Sequence, residues 1–362
     1  MTAIAKYNST EIMRRAVNDC MDILGGAGIS RGPRNVLSSN YIAIPIGITV
    51  EGANILTRTL MIFGQGALRA HPYAFKEVRA VEAGDLSGFD AAFWGHIGHV
   101  VRNLFRSILL SLSRGRLACT PSGAGALKPY YRKLAWASAS FAIMSDVAMG
   151  VLGGALKAKQ KITGRLADIL SWMYLATAVM RRWEAEGCKK EDLPLVRYCL
   201  ETAFLNIQVA FDGLFYNFKG PGISWFFRGV VGSWSRINRM SSGPSDGQGA
   251  QVCQIITTPG EQRDRITNGI YRPGPNMPED HFYKLEQAFK TVKSAEDTDR
   301  KVKRAVRTKQ LPRIKGTALY DEALKKGVIT KQEFDVLALA EKVRWDMIQV
   351  DEFTLQQYKD RA

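Results

Sequence analysis

From Ala91 onward the chain carries five long stretches in which apolar residues recur every three or four positions. They run Ala91–Leu112, Pro129–Lys157, Thr163–Gly187, Leu193–Asn217 and Trp225–Ile237. A strand alternates its side chains with period two, so this spacing selects helices, and little alternation is found anywhere else. No internal repeat is present. The sequence therefore predicts a mainly α fold. Nearer the start, Ile12, Met13, Ala16, Val17, Cys20, Met21 and Leu24 share one helical spacing, and Gly25 supplies a stop. A second helix is predicted to begin near Glu51 and to end before Pro72. Towards the end, Thr317–Lys326 stops at Gly327, and Thr330 with Glu333 forms a capping box. The helix after it carries Val336, Leu339, Ala340, Val343 and Met347. Two breaks interrupt the pattern: a Ser/Gly/Pro run over 241–249, predicted to be a mobile surface loop, and the proline-rich 272–278.

At 362 residues there is chain enough for two or more domains. The formal net charge of +16 suits an anionic partner such as nucleic acid, an anionic membrane surface or a coenzyme A ester. Charge alone fits a basic soluble surface equally well. The five cysteines lie apart with no CxxC pair, so neither a zinc site nor a disulfide framework is indicated, and reduced thiols of a cytoplasmic protein are expected. Met1–Asn18 lacks the apolar core of a secretory signal. Leu134–Leu156 approaches the length of a membrane span, but Asp146, three serines and several glycines dilute it, and a buried bundle helix is expected there.

Most informative for chemistry is Ile44–Arg58, an apolar run interrupted by Glu51 with Gly52 directly after it. A carboxylate in apolar surroundings loses hydration, which disfavours its charged form and makes it a better base near neutral pH. The alternative is an acid placed in the first turn of a helix to complement its dipole.

Other candidates carry less. Gly25-Gly26-Ala27-Gly28-Ile29-Ser30-Arg31 follows a helix and has Arg at the third glycine of a dinucleotide fingerprint, so a Rossmann loop is rejected. No Gly-Lys-Ser/Thr follows, so it is not a P-loop. It reads as a helix cap and turn, or as backbone that approaches a flat or phosphorylated ligand. His96 and His99 share a helix face, but no carboxylate or third ligand lies at helical spacing around them, so no metal ligands are assigned. His71 beside Pro72 reads as a helix end. The basic run Lys301–Lys309 reads as a solvated helix face open to membrane headgroups, and no nucleic-acid fold accompanies it. Trp225, Phe226 and Phe227 beside Arg228 suit attachment to a membrane surface.

Taken as a pair, Ile23-Leu24-Gly25-Gly26-Ala27-Gly28-Ile29 and Ile48-Thr49-Val50-Glu51-Gly52 resemble the acyl-CoA dehydrogenase family. The continuation Ala53–Ala67 looks like its bacterial long-chain branch, and His71–Ala362 looks like that branch's extra helical region. The resemblance divides the chain into 1–73, the last two helices of the dehydrogenase C-terminal domain, and 74–362, an accessory helical bundle domain.

It also implies roles. Glu51 matches the base that removes the α-proton of a long-chain acyl-CoA in β-oxidation, and Gly52 a position against the substrate. Gly25 and Gly26 match the turn that touches flavin adenine dinucleotide (FAD) of a neighbouring subunit. Ala53 stands where many relatives carry a flavin-bonding Thr, and Asp22 where many carry Gln. An electron-transfer flavoprotein as acceptor and a homo-oligomer when complete are implied as well. The family's other flavin-holding domains do not match any part of these residues. The chain therefore looks like the C-terminal part of a longer enzyme, inactive by itself. The competing expectation is a non-catalytic helical module that docks on an anionic membrane, at the inner face of the cell membrane, or on a partner protein.

Overall fold

A computed structural model describes residues 1–220 and 222–360. All regular structure among the described residues is helical, as the spacing predicts. The principal helices are α1 (Thr2–Leu24), α2 (Ser38–Thr49), α3 (Asn54–Ala70), α4 (Ala74–Ala83), α5 (Leu86–Leu112), α6 (Lys128–Leu152), α7 (Gln160–Ala185) and α8 (Leu193–Asn217). After them come α9 (His281–Ser294), α10 (Glu296–Arg307), α11 (Thr317–Lys325) and α12 (Lys331–Met347). The chain forms two compact units, Met1–Glu11 with Ile46–Cys253, and Ile12–Pro45 with Gln254–Ala362. Both are discontinuous in sequence, and neither coincides with 1–73 or 74–362.

The first unit is built on α7 and α8, whose buried Leu166, Ile169, Met180, Leu200, Phe204, Ile207 and Leu214 form one continuous core with Phe63 of α3 and Leu127. Segment 125–158 is long and apolar enough to cross a membrane by length and composition. In this structure α6 turns Trp136, Ala137, Ala139, Met144 and Ala148 into the core, as expected of a bundle helix. α3 is wound as a π-helix over Thr57–Gln65.

In the second unit a smaller core gathers Ala295, Val302, Ala305, Leu311, Ala323, Ile329, Leu337 and Ala340. The capping box forms as predicted: Glu333 N donates to Thr330 Oγ1 at 3.2 Å, and Thr330 N donates to Glu333 Oε2 at 2.7 Å. The basic run lies on α10, where Val302 and Ala305 are buried. Two of its five cations face acids: Lys301 reaches Glu333 at 3.0 Å and Lys303 reaches Asp299 at 2.5 Å.

Two local expectations are corrected. The 241–249 run is not a surface loop throughout, because Ser241 is buried, its hydroxyl bonds Glu201, and a helix starts at Asp246. The helix predicted to begin near Glu51 begins at Asn54, and a separate helix, α2, precedes it in spite of Pro45.

Candidate functional site

Glu51 therefore lies between helices and not in a first turn. Its backbone is left-handed at φ 53, followed by Gly52 at φ 88 and then Ala53 at the N-cap of α3. The methyl of Ala53 cannot accept a hydrogen bond, so the turn is anchored from elsewhere. The anchor is α1. Lys6 Nζ donates to Gly52 O at 2.9 Å and to Asn54 Oδ1 at 2.8 Å. Buried Asn54 donates in turn to Thr10 Oγ1 at 2.9 Å and to Glu11 Oε1 at 2.8 Å. Thr57 Oγ1 also donates to Gly52 O, at 3.3 Å.

The Glu51 side chain is exposed. The dry slot expected from its apolar neighbours is not formed by the described residues, because Ile46, Val50 and Ile55 are themselves exposed and do not fold over it. Lys6 and Asn54 carry no local signal in the sequence, since their partners lie more than forty positions away.

Beyond the turn, Arg58 on α3 clasps Asp168 of α7 through two hydrogen bonds of 2.7 and 2.5 Å. The carboxylate hydrogen bonds hold the Arg58 guanidinium above its ordinary pKa. Gly164 makes the approach possible, since a Cβ there would come within 2.8 Å of Arg58 Nη1.

In the other unit α1 ends at Leu24, and Gly25 at φ 57 leads into a single helical turn, Gly26–Ile29. Gly25 and Gly26 are exposed, with nothing within 4 Å of where a Cβ would stand. They present an open backbone edge. The loop that follows is organised by Asn35, whose Nδ2 donates to the carbonyls of Ala27, Gly28 and Ser30. Asn35 Oδ1 accepts from Leu37 N and Ser38 N, both at 3.0 Å, which caps α2. The adjoining cavity, lined by Ala27, Ser30, Arg34, Asn35 and His281 among others, measures about 50 Å³. That holds a water or two, whereas cofactor pockets run to roughly 300–1,000 Å³. The residues of this turn do not enclose a flavin nucleotide.

A second grouping was not legible in the sequence. His71, His96 and His99 converge on Asp146, which α6 contributes from a distant part of the chain. His71 Nε2 lies 2.9 Å from Asp146 Oδ1, and His96 Nε2 lies 3.6 Å from the same oxygen. The side chains of His71 and Asp146 are 7% and 6% exposed. His71 Nδ1 accepts from Tyr73 N and Ala74 N at 3.2 and 2.9 Å, capping α4. His96 Nδ1 contacts Glu77 Oε1 at 2.8 Å. Burial holds the His99 imidazole below the ordinary histidine range, against the pull of Asp146. Helical spacing found the pair His96 and His99 but not the residues brought to them by folding.

The regular structure of the described residues is all helical, as a helical dehydrogenase C-terminal domain requires. The family model described as acyl-CoA dehydrogenase, C-terminal, bacterial type, matches residues 68–353. The chain belongs to the acyl-CoA dehydrogenase family, and those residues are its bacterial-type C-terminal domain. Glu51, Gly52, Ala53 and the glycine turn all precede the matched span. No solved structure matches the chain.

Proposed function

We propose that this chain serves α,β-dehydrogenation of long-chain fatty acyl-CoA to trans-2-enoyl-CoA, as the C-terminal portion of a flavin-dependent dehydrogenase. The observation that carries the reading is the hydrogen-bonded Glu51-Gly52 turn in a chain of this family. Glu51 would take the α-proton of the thioester, and Gly52 would let the substrate approach the backbone. FAD is the hydride acceptor that the family's reaction calls for. The open edge at Gly25 and Gly26 supplies a contact and not a pocket for it. Since Glu51 is exposed, the apolar cover that would raise its basicity has to come from surfaces other than those of the described residues.

The test compares Glu51→Gln with the parent in an assembled enzyme that bleaches its flavin with palmitoyl-CoA. Removing the base is expected to lower bleaching at least 100-fold, the range general-base catalysis covers. Turnover retained by Glu51→Gln would take Glu51 out of the mechanism. The chain alone, given FAD and palmitoyl-CoA, is expected to leave the flavin oxidised.

A second reading is docking on an anionic membrane. It is favoured by an exposed apolar face on α5, comprising Trp94, Val101, Phe105, Ile108 and Leu112. Trp234, whose Nε1 donates to Ser111 Oγ at 2.8 Å, adjoins its end, and Trp225 and Phe226 are exposed while Phe227 is buried. Apolar and aromatic residues of this kind sit at headgroup depth. Sedimentation with liposomes is expected to rise with anionic lipid, and binding indifferent to lipid charge would count against it.

A further inference from the structure

Three of the four histidines in the chain surround one buried carboxyl group, that of Asp146. Both oxygens of Asp146 are buried with no well-aligned hydrogen bond, and His71 Nε2, 2.9 Å from Oδ1, is likewise off line for one. A buried polar cluster of this kind calls for a partner. His71 cannot be an imidazolium while its Nδ1 accepts two backbone N–H groups. His96 turns its Nδ1 to Glu77, and its Nε2 is too far from Asp146 for a hydrogen bond. Asp146 and the three imidazoles thus gather four donor groups around one buried point, with Asn103 and Arg102 standing beside the His99 ring. Such a donor set suits a metal ion.

We propose that His71, His99 and Asp146, with His96 as fourth donor, form a site for a divalent transition-metal ion such as zinc. The ligand atoms of His71, His99 and Asp146 already lie within 4.8 Å of one another. Around tetrahedral zinc, with bonds of about 2.0–2.1 Å, ligand atoms stand roughly 3.3 Å apart, so side-chain adjustments suffice. Three imidazoles and one carboxylate suit zinc, cobalt or nickel. Calcium and magnesium, which take six or more oxygens or keep their waters, are disfavoured by this donor set.

Glu77 has the position of an outer partner. By accepting from His96 Nδ1–H it leaves the lone pair on Nε2, the atom that faces Asp146. His71 starts from the opposite tautomer, with its proton on Nε2. Ligation moves that proton to Nδ1 and displaces the amides of Tyr73 and Ala74, so metal entry is coupled to the first turn of α4. Two neutral cap hydrogen bonds are weak beside ligation by a transition metal.

The experiment titrates the chelator-treated full chain with Co²⁺, followed by the visible ligand-field spectrum and by displacement with Zn²⁺. One equivalent is expected to bind, and Asp146→Asn to weaken it at least 100-fold. Asp146→Asn removes the buried charge and keeps its shape, so the fold is expected to survive; if its circular dichroism shows otherwise, His99→Gln is judged by the same criterion. His281→Ala, which removes the one histidine outside the cluster, is expected to leave binding unchanged. Co²⁺ binding no tighter in the parent than in Asp146→Asn, or lost on His281→Ala, would overturn the site.

Discussion

Arg58 and Asp168 are joined side on, guanidinium to carboxylate, across the packed faces of α3 and α7. Both side chains are about three-quarters withdrawn from solvent, at 27% and 22% exposure. Removing one partner strands the other, so Arg58→Ala should cost about 2–3 kcal/mol in urea unfolding. Gly164→Ala should be costly in the parent, because its methyl meets Nη1, and much milder in Arg58→Ala. A double-mutant cycle showing independent effects would contradict the close approach.

The capping box supplies a second measurement. Thr330→Ala removes the acceptor for Glu333 N and should destabilise by about 1 kcal/mol. Thr330→Ser, which keeps the hydroxyl, should recover most of that loss in thermal unfolding.

Acid stability should report the pair Arg263–Glu286, whose two hydrogen bonds measure 2.7 and 2.9 Å. The Arg263 hydrogen bond holds the Glu286 carboxyl below its ordinary value of 4.5. A depressed folded pKa means that the unfolded chain binds the proton more readily. The stability this pair adds is therefore complete above pH 4.5 and lost as pH falls below it, through the lower folded value. The difference in unfolding free energy between the parent and Glu286→Gln should shrink over that acid range and stay flat from pH 6 to 8.

Asn35 makes five hydrogen bonds that fasten the glycine turn and start α2. Asn35→Ala should cost about 2–3 kcal/mol, since several polar groups of the backbone lose their partner together. Limited proteolysis should then cut first between Ala27 and Ser38. Cleavage elsewhere at an unchanged rate would show that the loop is held by other contacts.

How far such features could be read in advance depends on whether their partners are near in sequence. Leu193–Asn217 was bounded to the residue, because apolar periodicity and a proline at the first turn are local signals. The Thr330–Glu333 box was legible for the same reason. α2 is not legible in the sequence, because Pro45 and the β-branched Ile44, Ile46 and Ile48 argue against a helix that the surrounding chain nonetheless completes. The sequence neighbours of Glu51 predict an apolar environment for it. Folding left Ile46, Val50 and Ile55 facing water, so those neighbours do not shield it. The Lys6–Asn54 anchor and the histidine cluster depend on residues tens of positions apart, and nothing at helical spacing announces them.

The π-helical winding of Thr57–Gln65 has an evolutionary corollary. Such a turn holds about one residue more than α geometry requires, so loss of a single codon there could be absorbed by reversion to an ordinary spiral. The same deletion inside Leu193–Asn217 would swing every later side chain by about 100° and scramble the core it lines. Insertions and deletions among relatives are thus expected to accumulate in the first segment and to be purged from the second.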